Sequence, residues 1–258
     1  MRDFGRVFIN LQKFQLHQES IFMSNIEIWQ QQLKEVARPE KVKILSSFFK
    51  TGKGGYGEGD TFIGIVVPDN RRISKAFFNL PFQEIAEMLS SPIHEFRFAA
   101  LIALVERYHR FRKDAAARAE IANFYLSHTS SINNWDLVDL SSPQIIGSQM
   151  LYTGSTDVAT RLAQSSNLWE QRISIVSSFT LIKAGEFALT LRLAEKFLSH
   201  KHDLIHKASG WMLREVGKRS QDTLCEFLDK HAAEMPRTML RYAIEKFNTQ
   251  LRKHYMSK

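Results

Sequence analysis

From residue 80 onward, apolar residues recur at helical spacing, with breaks at Pro81, Pro92, Gly147, Gly154, Gly185, Gly217 and Pro236. This periodicity predicts helices joined by tight turns. Upstream, Ser24 and Glu27 have the spacing of a capping box, which places a helix start near Met23. Residues 1–22 therefore read as an N-terminal extension and residues 23–258 as a single domain of helical repeats. One stretch breaks the pattern: the glycine-rich segment Thr51–Asp60 leads into Phe62-Ile63-Gly64-Ile65-Val66-Val67. That apolar run reads either as a short strand or as an extended loop packed against helices.

The helical pattern also repeats. Helices carrying a polar or basic residue among apolar ones are centred on Arg97, Trp135, Arg172, Lys207 and Arg241, in steps of 38, 37, 35 and 34 residues. Each step has room for two helices and two turns, the period of an α-solenoid whose stacked repeats form a curved body with a concave face. The predicted fold is thus all-α, a solenoid of helical repeats. Within it, the segment Asp203–Arg219 separates into two stripes when wound at about 100° per residue. Ile205, Ala208, Met212 and Val216 form one, and Lys207, Trp211, Arg214 and Lys218 the other. A tryptophan among three cations is either a core residue packed under the next repeat or an aromatic platform in a phosphate-binding stripe.

Composition sharpens the second option. The chain has 35 Lys+Arg against 27 Asp+Glu, a formal charge of +8, which favours a polyanionic partner. The concave face is accordingly expected to be basic. A single cysteine, Cys225, excludes an internal disulfide framework and a cysteine-based zinc site, as suits a reducing compartment. Cys225 lies beside Leu224, Phe227 and Leu228 and reads as a small core residue. No apolar run approaches the roughly 18–20 residues of a membrane span, and residues 1–22 lack the compact apolar stretch and cleavage site of a signal peptide. A soluble, monomeric, cytoplasmic protein is expected.

Two rival signals are weak. Gly52-x-Gly54-x-x-Gly57 has the glycine spacing of a nucleotide-binding loop, but a helical segment precedes it and none starts directly after it. His200, His202 and His206 crowd near Asp203, yet only His202 and His206 have the i, i+4 spacing of ligands on one helix face. Helix capping is the expected role of Asp203, and no metal is expected. Trp135 and Asp139, one turn apart and away from Leu137 and Leu140, share a helix face. An indole beside a carboxylate is either a solvated N-terminal turn or, in a basic groove, a device for stabilising positive charge on a sugar and positioning water.

Three motifs in order carry a family resemblance: Ile132-Asn133-Asn134-Trp135-Asp136-Leu137-Val138-Asp139, Trp169-Glu170-Gln171-Arg172-Ile173-Ser174-Ile175, and Gly210-Trp211-Met212-Leu213-Arg214-Glu215. With Phe62-Ile63-Gly64-Ile65 followed by Pro68 and Arg71-Arg72, the chain resembles the AlkD-type alkylpurine DNA glycosylases over residues 25–250. The resemblance implies a C-shaped stack of HEAT-like repeats that excises N3- and N7-alkylated purines from double-stranded DNA, in base excision repair, without a metal or other cofactor. It implies that Asp139 is the catalytic carboxylate, that Trp135 and Trp211 line the deoxyribose, and that Arg172 contacts a phosphate. Arg214, Lys207 and Lys218 would add DNA contacts, and Tyr56 an aromatic one. The segment Thr51–Asp60 departs from the family pattern, which is basic there and lacks the glycine run. This departure keeps open a non-catalytic HEAT-repeat protein that recognises branched or distorted DNA. A protein-binding scaffold, the third option, leaves the tryptophan and cation stripe without a purpose.

Overall fold

The structure, a computed structural model, describes residues 23–258; the extension read at residues 1–22 lies outside the described residues. The chain divides into two compact units, one ending at Ala103 and one spanning Leu104–Lys258.

The first unit contains α1 (Asn25–Glu35), α2 (Pro39–Phe48), α3 (Val67–Ser74), α4 (Phe82–Leu89) and the start of α5 (His94–Arg110), within which the boundary falls. The capping box predicted at Ser24 is present: its hydroxyl accepts the Glu27 N–H at 3.3 Å and the Glu27 carboxylate accepts the Ser24 N–H at 2.8 Å. Ile26, Trp29 and Leu33 form the buried stripe of α1. Trp29 stacks on Phe77 at 4.9 Å, and its indole N–H donates to the Ser74 hydroxyl at 3.2 Å.

Of the two readings for residues 62–67, the loop is observed over 62–66, and Val67 already opens α3. No β-strand occurs among the described residues, only an isolated parallel bridge between Thr61 and Ile93. The three N–H groups of Ile63, Gly64 and Ile65 converge on Oε1 of Glu95, at 3.1, 2.8 and 3.2 Å. The carboxylate takes the place of a partner strand and satisfies buried donors that an isolated extended segment would leave unmet. Gly64 is required twice over. Its φ is +91°, and a Cβ there would lie 2.0 Å from the Arg38 carbonyl oxygen.

The second unit continues with α6 (Ala115–Ser127), α7 (Trp135–Ser142), α8 (Ser148–Thr153), α9 (Asp157–Leu162), α10 (Leu168–Lys183), α11 (Ala188–Lys196), α12 (Asp203–Gly217), α13 (Gln221–His231), α14 (Arg237–Ala243) and α15 (Thr249–Met256). The repeat centres read from the sequence fall on α5, α7, α10, α12 and α14, and a separate helix precedes each: α4, α6, α9, α11 and α13. The fold is all-α and built of paired helices. In the second unit α10 is the central element, buried without a break from Arg172 to Ser178 and packed against α7, α8, α9, α11 and α12. Its buried serines bond back to the helix itself, Ser174 to the Gln171 carbonyl at 2.6 Å and Ser178 to that of Ile175 at 2.7 Å. Next to it α12 runs close to α14, where a Cβ on Gly210 would meet the Met239 carbonyl oxygen at 2.4 Å. Only glycine allows this approach. Cys225 is partly buried against the C-terminal core, as its apolar neighbours predict.

Candidate nucleic-acid interface

Helix α7 opens after Asn134, a fully buried cap whose side-chain oxygen accepts the Trp135 N–H at 2.8 Å. Leu137 and Val138 point into the core with no exposed surface, which leaves Trp135 and Asp139 half-buried one turn apart. Of the two leucines expected on the opposite side, Leu137 is buried and Leu140 only half-buried. Behind α7, the α10 helix begins at the Asn167 cap, which accepts the Trp169 N–H at 2.8 Å, and this fixes Arg172 in the second turn.

Arg172 reaches back to α7. Its Nε and Nη2 donate to the two oxygens of Asp139 at 2.9 and 2.7 Å, a bidentate pair, and its Nη1 donates to the Leu204 carbonyl on α12 at 2.6 Å. One guanidinium thus ties three consecutive second helices together. The resemblance gives this side chain a phosphate contact; in the structure it is engaged within the protein. The Arg172 side chain is 6% exposed, and each of its three nitrogens already donates within the protein. Asp139 keeps 19% of its side chain exposed. Burial pushes its carboxyl above the usual aspartate range; the Arg172 charge and hydrogen bonds pull the other way without restoring it, and Asp136 adds to the upward shift.

Trp211 stands farther along the same pair of helices. The Arg172–Leu204 bond and the contact of Phe179 with Trp211 (ring centroids 5.9 Å apart) are each separated by seven residues on both helices, so α10 and α12 run side by side in register. Seven residues correspond to about 10 Å of helix. Trp211 is half-buried, as are Lys207 and Arg214, while Lys218 is exposed; on the opposite face Ile205, Ala208, Met212 and Val216 are fully buried. The two-stripe reading of α12 holds.

What the sequence did not show is that each cation of the stripe has an acidic neighbour. Lys207 pairs with Asp203 at 2.7 Å, Lys218 with Glu215 at 2.6 Å, and Arg214 with Glu245. The cap of α12 also differs from expectation. His202, not Asp203, caps the helix, with its Nδ1 accepting the Leu204 N–H at 3.2 Å, because Asp203 already lies in the first turn. Tyr56, in the first unit, donates its hydroxyl to the Phe48 carbonyl at 3.2 Å and lies under the Lys50 ammonium, 5.7 Å from the ring centroid. Its hydroxyl thus ties the glycine-rich loop to the end of α2. Among the described residues, no group of three His, Cys, Asp or Glu side chains is arranged to hold a metal ion, and no helix is long and apolar enough to cross a membrane.

Comparison with known proteins agrees with the fold. No curated protein matches the chain. Among solved structures it is similar to a predicted DNA alkylation repair enzyme from Enterococcus faecalis, with a TM-score of 0.65 and 16% sequence identity, covering 83% of this chain and 97% of that one. At that identity the likeness speaks for the fold alone. The sequence model of the DNA alkylation repair enzymes matches residues 29–247, which include Trp135, Asp139, Arg172 and Trp211, and the chain belongs to that family.

Proposed function

We propose that this protein is a DNA glycosylase that removes positively charged N3- and N7-alkylated purines from duplex DNA. The observation that carries the reading is the Asp139 carboxylate, clamped by Arg172 yet open along one edge beside a half-buried tryptophan. In such a lesion the purine already carries a positive charge and is a good leaving group. When the bond between C1′ and the purine nitrogen breaks, its electron pair neutralises the base and the positive charge moves to the sugar. A fixed carboxylate in partly water-excluded surroundings stabilises that charge and orients the water that adds to C1′ and loses a proton to bulk solvent. The Arg172 clamp holds the carboxylate in place before substrate arrives, so little reorganisation is needed during the reaction. Trp135, one turn earlier on α7, offers its face to the cationic sugar.

A second reading is favoured by the same clamp. Both Asp139 oxygens are engaged by Arg172, as in a structural ion pair, and this suits a protein that binds DNA without cutting the glycosidic bond. Incubation with a duplex carrying one N7-methylguanine, scored for free base and an alkali-labile abasic site, separates the two. Base release by the wild type that is lost in Asp139→Asn supports the glycosylase. Tight binding with no release over hours selects the binding protein.

A further inference from the structure

Two further lysines, Lys196 and Lys201, lie away from the α12 stripe. A cavity of about 520 Å³ opens where the end of α11 and the linker Ser199–His202 meet the first turn of α10. Lys196, Lys201, His200, His202 and Gln171 line it, and the buried ring of Phe197 lies beneath. No carboxylate lines this cavity, and neither lysine has an ion-pair partner among the described residues. Asp203, next in sequence, is held by Lys207.

Backbone geometry sets the state of both imidazoles. His200 Nδ1 accepts the His202 N–H at 3.0 Å, and His202 Nδ1 accepts the Leu204 N–H at 3.2 Å. An accepting Nδ1 carries no proton, so each ring is a neutral Nε2–H donor. Burial, which lowers the pKa of both, favours the same state. The His200 donor is used by the Gln171 side-chain oxygen at 2.9 Å, whereas the His202 donor has no acceptor among the described residues. A neutral ring donor and two ammonium groups, in a lining without carboxylates, form a receptor for a small anion.

We propose that this cavity binds a phosphate group, carried either by a DNA strand or by a free mononucleotide, through Lys196, Lys201 and the Nε2–H of His202. The DNA source rests on the reading above and extends it. Gln171 of the cavity precedes Arg172 of the ion pair, and His202 caps the helix whose Leu204 carbonyl receives Arg172.

The test compares the full-length wild type with the double variant Lys196→Ala/Lys201→Ala and with His202→Asn. Asparagine is a good helix cap, so His202→Asn keeps the first turn of α12 while removing the ring donor. An unchanged melting temperature checks that it does. Duplex affinity is measured over a salt series by fluorescence anisotropy, and inorganic phosphate and deoxyadenosine monophosphate are titrated by calorimetry. If DNA is the source, the double variant lowers the salt slope by about one and His202→Asn weakens duplex binding about tenfold, with no mononucleotide heat in the wild type. If a free nucleotide is the source, the wild type binds deoxyadenosine monophosphate, both variants lose it, and duplex binding is unchanged. A wild type that binds no duplex sinks the DNA reading but leaves the mononucleotide titration to judge the cavity. Variants that match the wild type on every probe overturn the proposal.

Discussion

Among the described residues each unit holds a buried arginine–aspartate pair, and the two are built alike up to a point. Arg97 Nη2 meets Asp60 at 2.5 Å while its Nη1 donates to the Ser91 carbonyl at 2.9 Å; Arg172 meets Asp139 at 2.7 and 2.9 Å while its Nη1 donates to the Leu204 carbonyl. The difference lies in the carboxylate. Asp60 is 4% exposed, and His94 occupies its second oxygen at 2.9 Å. The rings of Phe49, Phe62 and His94 pack together over that corner with centroids 4.7 to 5.1 Å apart. Asp139 keeps 19% of its side chain exposed, one helical turn from the half-buried Trp135. A closed pair can only brace its surroundings. An open one presents a pre-oriented charge to whatever enters, at some expense in folding free energy.

The largest expected effect tests the closed pair. Asp60→Ala strands the Arg97 charge in the interior and lowers stability by about 3–5 kcal/mol, read from denaturant unfolding. Base release by the folded protein, assayed well below its melting transition, stays near the wild-type rate. A stability change under about 1 kcal/mol, the scale of exposed pairs, would show that Asp60 is not the brace described.

The open pair should behave in the opposite way. Asp139→Asn slows release of N7-methylguanine on the order of 10-fold to 1,000-fold, as for other single electrostatic groups, with DNA affinity barely altered. Its melting temperature falls less than that of Asp60→Ala, because the asparagine oxygen still accepts one of the two Arg172 donations. A variant that loses stability as Asp60→Ala does, with release intact, would place Asp139 in the scaffold as well.

Titration sharpens the contrast further. Burial holds the folded pKa of Asp139 above its unfolded value, so the group's contribution to stability is complete below the unfolded pKa and is lost as pH rises through the folded one. Activity runs the other way, since the carboxylate form is required. The acid limb of the rate profile therefore lies above the usual aspartate range. Removing the cation in Arg172→Gln moves that limb to still higher pH, whereas loss of a phosphate contact alone would weaken binding and leave the limb in place.

The pattern of legibility follows from the kinds of interaction involved. Helix pairs, the buried stripe of α12 and the Trp135–Asp139 face were readable because each depends on spacing within one helix, which a fixed periodicity converts into direction. Contacts between helices were not. Arg172 and Asp139 are 33 residues apart and Arg214 and Glu245 are 31 apart, and no local pattern marks which acid a given arginine meets. The Phe62–Ile65 loop was ambiguous for the same reason, because the group that satisfies it, Glu95, lies a full 30 residues beyond Ile65. For His202 and Asp203 the miss was local and small. Both residues can cap a helix, and which one does depends on where the first turn begins.

The smallest effect concerns the α12 stripe, where sequence alone counted cations and the structure supplies their acids. Arg214 is 17% exposed and bound to Glu245, which is 45% exposed and carries a second partner in Lys246 at 2.9 Å. A phosphate that approaches Arg214 must therefore displace a carboxylate, and an exposed pair of this kind is worth only a few tenths to about 1 kcal/mol. Glu245→Gln removes the competing charge and should tighten duplex binding about two- to fivefold at low salt. Arg214→Ala should weaken it with little regard to base sequence. The double variant decides what the pair does: if Glu245 acts by masking Arg214, Glu245→Gln gains nothing once Arg214 is alanine, and the two changes are strongly non-additive. Full additivity in anisotropy titrations would mean that Glu245 repels DNA on its own account and that Arg214 faces away from the strand.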